Sequence, residues 1–246
     1  MPNNSMISIR PDYEIATRYG SAWQTYILNA ADNVGLPYTD FYGDNANSAN
    51  FFSGIESQDP ILVNIFGHGN YNLIACQNGE YLLQGGVNTN MLAGRVVYDL
   101  SCRAGRDLGD IAVSEGCVSF LGYDEDFIFV IVGGSHPDGG MSNPLADEVS
   151  RGFFEAHNIA PISFIQGRTT ADSYYDSQDV FDYWINVWNE IDSQVAGFLV
   201  WDKDHQVIKP SVGPAPGGLL PVMLMFAPLL LIPILKSKHL KKLKPL

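Results

Sequence analysis

Two stretches of this 246-residue chain decide its fold, Ile61-Leu62-Val63-Asn64-Ile65-Phe66-Gly67-His68-Gly69 and Arg95-Val96-Val97-Tyr98-Asp99-Leu100-Ser101-Cys102. Each begins with a short, nearly unbroken apolar run, which is typical of a strand covered on both faces by helices. Each run leads into a reactive side chain, His68 in the first stretch and Cys102 in the second. Because functional groups gather at the carboxyl ends of strands in open α/β sheets, the sequence predicts the imidazole and the thiol on one rim.

Outside these stretches, short apolar runs alternate with helical patterns, which predicts a layered α/β domain. The predicted helices include one over residues 13–34, with Gly20 inside its pattern, and one that starts at Asn143-Pro144 and carries Leu145, Val149 and Phe153 on one face. The apolar run at residues 198–201 is predicted to be the last strand.

The C-terminal part differs sharply in composition from the rest of the chain. Residues 210–235 contain no charged side chain, and residues 219–235 are almost pure hydrocarbon. As a helix, that stretch would span about 26 Å, at the short end for a bilayer. We therefore predict a domain over 1–209, a Pro- and Gly-rich stalk over 210–218, and a membrane anchor with a lysine-rich tail over 219–246. A buried or disordered tail is the alternative.

Charge and cysteine content exclude several function classes. Removing the five lysines of residues 236–246 from the net charge of −13 leaves −18 on the remaining chain. Such a body repels phosphate backbones, so no nucleic-acid partner is predicted. Three cysteines without zinc-ligand spacing predict neither a disulfide network nor a metal site, and no cofactor is predicted. Cys76 and Cys117 are interpreted as structural thiols.

A Cys102–His68 pair is chemically sufficient for acyl transfer. A thiolate is the nucleophile of such reactions, and its pKa falls beside an imidazolium or at a helix N-terminus. A helix beginning near Gly105-Arg106-Asp107 would supply that positive end. His68 is predicted to protonate the departing amine. The N–H groups of Gly69 and Cys102 are predicted to hold the oxyanion, because a residue without Cβ lets a substrate approach closely.

The two motifs resemble a known group of enzymes. Phe66-Gly67-His68-Gly69 followed by Leu100-Ser101-Cys102-Arg103-Ala104-Gly105 is similar to the caspase-like clan of cysteine peptidases, which includes caspases, metacaspases, separase, clostripain and the gingipains. The gingipain type fits best over roughly residues 59–202. The resemblance implies a three-layer αβα caspase-like fold with a mostly parallel sheet. It also implies an endopeptidase acting on polypeptides, with His68 as general acid/base, Cys102 as nucleophile and Gly69 in the oxyanion hole.

The residues that would select a substrate depart from the family pattern. Metacaspases and clostripain place an acid two residues before the cysteine, where this chain has Leu100. Asp99 lies one residue further back, on the other face of a strand, which weakens the case for a basic substrate residue by that route. Asp124 and Asp126 are alternative pocket acids. If an acidic substrate residue were preferred instead, Arg103 and Arg168 would be the nearest basic candidates.

Two other functions are compatible with the sequence. One is a non-catalytic, membrane-tethered interaction module on the same fold, although a scaffold needs neither His68 nor Cys102. The other is a flavodoxin-like ligand-binding protein, which the lack of a glycine-rich loop after the first strand disfavours. The acidic, lysine-poor body suggests an outer-face location for the domain, with the lysine tail on the cytoplasmic side.

Overall fold

The computed structural model describes residues 3–210, which form a six-stranded sheet in the order β2-β1-β3-β7-β8-β9. The first five strands run parallel to one another, and the edge strand β9 pairs antiparallel to β8. The strand bounds are β1 (Asn3–Arg10), β2 (Tyr38–Tyr42), β3 (Pro60–Phe66), β7 (Val96–Leu100), β8 (Ser119–Tyr123) and β9 (Gln206–Pro210). A separate antiparallel sheet contains β4 (His68–Asn70), β5 (Leu73–Ala75) and β6 (Tyr81–Gln84).

Helices cover both faces of the large sheet, so the predicted layered α/β fold with a mostly parallel sheet is confirmed for this part of the chain. Successive strand residues point to opposite faces: Leu62 packs with α2 and α5, and Val63 packs with α3 and α4. The helices are α1 (Ile15–Trp23), α2 (Thr25–Val34), α3 (Ser48–Gln58), α4 (Asp107–Ser114), α5 (Arg151–Ile165), α6 (Thr170–Asn189) and α7 (Ser193–His205).

The predicted strand at residues 198–201 is wrong, because this apolar run lies inside helix α7. Asp192 caps that helix by accepting a hydrogen bond from the Gln194 N–H. Leu199 is fully buried, whereas Val200 and Trp201 are exposed, which is the burial pattern of one helix face and not of a buried strand. The last strand is instead β9, which follows α7 directly.

Two predicted helices are each interrupted. The helix predicted over 13–34 divides at Gln24 into α1 and α2. The helix predicted from Asn143-Pro144 is only a short 3₁₀ turn, although Asn143 does cap it as expected. The buried Asp147 carboxylate then accepts hydrogen bonds from the N–H groups of Val149 and Ser150, and these bonds hold a turn before α5 begins.

The predicted anchor lies outside the described residues, as does the predicted stalk apart from Pro210, the last residue of β9. Within residues 3–210, none of the helices combines the length and the apolar character that a membrane crossing requires.

Candidate active site

The two strands that end at the predicted catalytic residues are neighbours in the sheet. Phe66 of β3 lies opposite Leu100 of β7, and the Gly67 N–H donates to the Leu100 carbonyl at 3.5 Å. His68 and Cys102 each lie two residues beyond this pair. The parallel register therefore brings both residues to the same rim, as the sequence predicts.

Gly69 provides the closest contact between the two chain segments. A Cβ added at Gly69 would lie 2.2 Å from the carbonyl oxygen of Cys102 and 2.9 Å from its nitrogen. The backbone of the His-Gly segment thus lies directly on the backbone of Cys102, and only glycine fits there. This arrangement places the Gly69 and Cys102 backbones side by side at the rim.

His68 is held from the side of helix α1. Its Nε2 atom lies 3.2 Å from Glu14 Oε1, and the Tyr13 ring contacts it edge-on with ring centroids 6.1 Å apart. The side chain is 46% exposed, so the imidazole is open to solvent and to a substrate. With Nε2 directed at a carboxylate, Nδ1 is the nitrogen that remains for proton transfer.

Glu14 was not predicted from the sequence, yet it is the partner that orients His68. It is the N-cap of α1, where its carboxylate accepts hydrogen bonds from the N–H groups of Ala16 and Thr17. Burial alone would raise the pKa of Glu14, but the hydrogen bonds from His68, Ala16 and Thr17 outweigh it and lower the pKa to about 2. Glu14 is therefore ionised at neutral pH. It forms a capping box with Thr17 in which the acid is at the N-cap and the hydroxyl three residues later, the reverse of the usual sequence signature.

Cys102 lies in the turn between β7 and α4, and its sulfur is in a very different environment. Burial raises the pKa of the Cys102 thiol to about 11, against a hydrogen bond from the Phe127 N–H that lowers it. The negative charge of Asp126 raises the pKa further. Within residues 3–210, no hydrogen bond joins the Cys102 sulfur to His68. The resting thiol is protonated at neutral pH.

Two carboxyl groups near this thiol are completely buried. Asp99 accepts a hydrogen bond from the Ser101 hydroxyl at 2.7 Å, and Asp202 accepts one from the Ile128 N–H at 2.8 Å. In each carboxyl group, the Oδ2 atom has no hydrogen-bond partner among the described residues. Burial raises the pKa of both groups well above its ordinary value, because it disfavours the charged form. Asp202 was not predicted, because its sequence neighbourhood gives no sign of burial.

The other predicted substrate-binding acids lie at the surface and already have partners. Asp124 Oδ1 lies 2.8 Å from His205 Nδ1, and Asp126 accepts from Arg103 Nη2 at 2.7 Å. Arg103 follows Cys102 in a left-handed backbone conformation with φ of 62°. Arg168, the other basic candidate, is paired with Asp176 of α6.

The remaining cysteines and the helix behind Cys102 also have defined positions. Cys76 and Cys117 are fully buried, in agreement with a structural role. Helix α4 begins at Asp107, as expected, with Asp107 and Asp110 in its first turn. These acids offset part of the positive helix end that was expected to act on the thiol.

No protein-family model and no curated protein matches the chain. Two solved structures are similar to it: the complex of the pro- and mature domains of Porphyromonas gingivalis RgpB, and the Arg-specific cysteine proteinase gingipain R (RgpB). The TM-score is 0.48 in both comparisons, with sequence identities of 11% and 13%. Each comparison covers 85% of this chain but 47% and 46% of the solved chains, so this chain spans about half the length of those structures.

Proposed function

We propose that the chain is a cysteine endopeptidase in which Cys102 is the nucleophile and His68 the general acid/base. The observation that carries this proposal is the contact of Gly69 with the backbone of Cys102, where an added Cβ would lie 2.2 Å from the carbonyl oxygen. This contact fixes an imidazole, a thiol and two adjacent peptide groups on one rim. An interaction scaffold does not need that combination.

The reaction follows from these groups. His68 removes the thiol proton, and the thiolate attacks the substrate carbonyl carbon, so that the carbonyl electron pair moves onto oxygen. The N–H groups of Gly69 and Cys102 stabilise that oxyanion. The imidazolium then donates its proton to the leaving nitrogen as the C–N bond breaks, and an acyl-enzyme remains. Water, deprotonated by His68, attacks the acyl carbon to give a second tetrahedral intermediate. As that intermediate collapses, the C–S bond breaks, the acid product leaves, and the imidazolium returns its proton to the sulfur.

Glu14 acts through His68 in this scheme. Its ionised carboxylate fixes the ring by binding Nε2, and it stabilises the imidazolium that forms during catalysis. We infer that Glu14 is a positioning residue, because its contact is with His68 and not with the reacting atoms.

The test is to label the full chain with a peptidyl acyloxymethyl ketone and to map the modified cysteine by mass spectrometry. We expect labelling at Cys102 and loss of both labelling and peptide hydrolysis in Cys102→Ala. His68→Ala should lower turnover by about 100- to 10,000-fold, the range for lost acid/base assistance. The control variants Cys76→Ala and Cys117→Ala should keep most of the activity. A labelled Cys76 or Cys117, or full activity in Cys102→Ala, would refute the assignment.

The finer proposal is that cleavage follows a basic substrate residue. Of the predicted acids, Asp126 supports this best. It lies at the surface, and among the carboxyl groups it has the largest effect on the pKa of the Cys102 thiol. It also forms an ion pair with the half-buried Arg103. A substrate Arg or Lys would replace that guanidinium. Fluorogenic peptides with Arg, Lys, Asp or Leu before the scissile bond test the preference. A clear preference for Asp would contradict it and favour Arg103 as the selecting residue.

We also propose that residues 219–235 anchor the protein in a membrane, with the domain on the outer face. The support is the uncharged sequence followed by five lysines. The full chain should remain in the membrane fraction after carbonate extraction, whereas a chain ending before Gly217 should be released. Full-length protein that is monodisperse without detergent would refute the anchor.

The second candidate function is a non-catalytic, tethered interaction module. The observation that favours it is the protonated, half-covered thiol, whose pKa is raised by burial to about 11. The same ketone probe separates the two functions, since a scaffold would leave Cys102 unlabelled while still folding.

A further inference from the structure

The sulfur side of the candidate site is covered by residues 124–132, a segment with almost no regular secondary structure that follows β8. We call these residues the strap. The strap contacts the Cys102 turn at three successive points. The Arg103 N–H donates to the Glu125 carbonyl at 3.0 Å, the Arg103 side chain pairs with Asp126, and the Phe127 amide lies near enough to the Cys102 thiol to lower its pKa.

Helix α7 holds the strap from the other side. Trp201 Nε1 donates to the Asp126 carbonyl at 2.8 Å, and the Asp202 carboxyl accepts the Ile128 N–H at 2.8 Å. His205 Nδ1 lies 2.8 Å from Asp124. Positions 201, 202 and 205 lie on neighbouring faces of one helical turn, so a single short segment of α7 contacts three consecutive parts of the strap. We call Trp201, Asp202 and His205 the latch.

The far end of the strap is fixed as well. The Val132 N–H donates to Asp147 Oδ2 at 2.9 Å, and the Phe129 ring packs on Phe154 with centroids 4.9 Å apart. The strap begins directly after β8, and the latch ends directly before β9. The strand residues next to them, Tyr123 of β8 and Gln206 of β9, lie opposite each other in the sheet. A movement of the edge strand β9 would therefore shift the latch relative to the strap.

These contacts explain why the nucleophile is not poised for reaction. A substrate carbonyl has to reach the Cys102 sulfur, yet the Phe127 amide lies near the thiol and affects its pKa, and the Glu125 carbonyl binds the N–H of the next residue, Arg103. The imidazole, in contrast, is 46% exposed and already oriented. The arrangement is that of an enzyme whose proton-transfer group is exposed while its nucleophile is partly covered.

We propose that residues 124–132 are an autoinhibitory strap, that Trp201, Asp202 and His205 of α7 are its latch, and that release of the latch exposes Cys102. This inference rests on the proposed function, since it specifies how the same thiol is regulated. The strap can be tested separately from the proposed function, because exposure of a thiol can be followed without any peptide hydrolysis.

The experiment measures the alkylation rate of Cys102 by iodoacetamide in the full chain, with the modified residue mapped by mass spectrometry. Asp202→Ala removes the acceptor of the Ile128 N–H and should accelerate alkylation at least about tenfold. Asp202→Asn keeps an acceptor oxygen at that position and should alkylate at the wild-type rate. This matched pair separates loss of the latch bond from loss of the acidic group.

A milder variant guards against misfolding of Asp202→Ala. Trp201→Phe removes only the Nε1–H donor, and we expect about 2- to 10-fold faster alkylation. Val200→Ala, at a neighbouring exposed position, is the control and should have no effect. Amide hydrogen exchange should accelerate at Ile128 in Asp202→Ala.

Three results would overturn the strap whatever the outcome of the peptide assay. These are wild-type alkylation as fast as that of an unstructured cysteine peptide, Asp202→Asn as fast as Asp202→Ala, or faster Ile128 exchange without faster alkylation. Accelerated alkylation without any peptide hydrolysis would support the strap and refute the proposed function. Peptide hydrolysis by the wild-type chain with unchanged alkylation in every latch variant would refute the strap alone.

Discussion

The two halves of the candidate site lie on one rim and yet differ in almost every physical respect. The His68 half is open to solvent and is held by an ionised carboxylate, that of Glu14. The Cys102 half is partly covered by the strap and lies near two buried carboxyl groups whose pKa values burial raises. Environments that separate the protonation states of neighbouring groups are characteristic of sites with divided acid and base roles.

The contrast indicates where the site is preorganised and where it is restrained. The imidazole needs no rearrangement to accept a proton, whereas the thiol must first lose its cover. Gly69 joins the two halves, because it follows His68 in the chain and lies against Cys102 in space. Among variants that keep both reacting residues, we therefore expect the loss of activity to be largest at the junction, smaller in the open half and smallest in the buried half.

Among variants that keep both Cys102 and His68, Gly69→Ala should give the largest loss of activity. Its Cβ would lie 2.2 Å from the Cys102 carbonyl oxygen, and both atoms belong to rigid backbone, so the two strand ends must separate. A displacement of about 1 Å between reacting groups can lower a rate 100-fold, and we expect kcat/KM to fall by at least that factor. The measurement is peptide hydrolysis alongside a thermal melt that verifies folding.

Gly197→Ala is the matched control for the junction. Gly197 lies inside helix α7, and an added Cβ would meet nothing within 4 Å. Because alanine is favoured over glycine in a helix interior by up to about 1 kcal/mol, this variant should be as active as wild type and slightly more stable. Equal activity in both glycine variants would show that the contact between the halves is unimportant.

Glu14→Gln should have an intermediate effect, confined to the open half. The amide oxygen can still cap α1, but the charge that supports the imidazolium is lost, and we expect kcat to fall about tenfold. Alkylation of Cys102 should not change, because the sulfur does not contact Glu14. If Glu14→Gln changed the alkylation rate but not kcat, Glu14 would act on the Cys102 half of the site and not on His68.

The same variant has a signature in stability. The pKa of Glu14 is lowered in the folded protein from 4.5 to about 2, so its stabilising contribution is present above pH 4.5 and is lost as the pH falls towards 2. Urea unfolding should therefore show wild type more stable than Glu14→Gln at pH 6, with the difference shrinking at pH 3. A constant difference across that range would mean that the charge of Glu14 is not the cause.

Much of the sheet could be predicted from the sequence, because buried parallel strands have an unmistakable composition. The runs before His68 and before Cys102 are the strands β3 and β7, in adjacent positions. The strand predicted at residues 198–201 is wrong, because four apolar residues fit a strand and a buried helix face equally well. Only the contact of α7 with α6 and the strap resolves that ambiguity.

The side chains that complete the site could not be predicted, for two different reasons. Glu14 lies 54 residues before His68 in the chain, and only the tertiary structure brings them together. Asp202 was missed because an aspartate is rarely buried, so nothing in its surroundings suggests a neutral carboxyl group next to a thiol. In both cases the missing information was the environment and not the residue type.

Asp99→Asn should have the smallest effect on activity and is the sharpest test of the buried half. Since Asp99 is fully buried and burial raises its pKa, an amide of the same shape can accept the Ser101 hydroxyl bond and should leave kcat/KM within about threefold at pH 7. The preference for basic peptides should also persist, because a neutral group under the rim does not attract a cation. Loss of that preference would instead make Asp99 the selecting acid.

The pH dependence of stability in Asp99→Asn tests whether the carboxyl group is neutral at all. Its pKa is raised in the folded protein above the ordinary value of 3.8, so its contribution to stability is fully present below that pH and is lost as the pH rises towards the folded value. Wild type should therefore lose stability relative to Asp99→Asn by up to about 1.4 kcal/mol per pH unit above pH 4. The asparagine variant lacks this titration, and the two should be nearly equal at pH 4. Thermal or urea unfolding at pH 4, 6 and 8 measures the divergence. Parallel stability curves would mean that Asp99 is ionised in the folded protein, and the description of the Cys102 half as a neutral, closed environment would then be wrong.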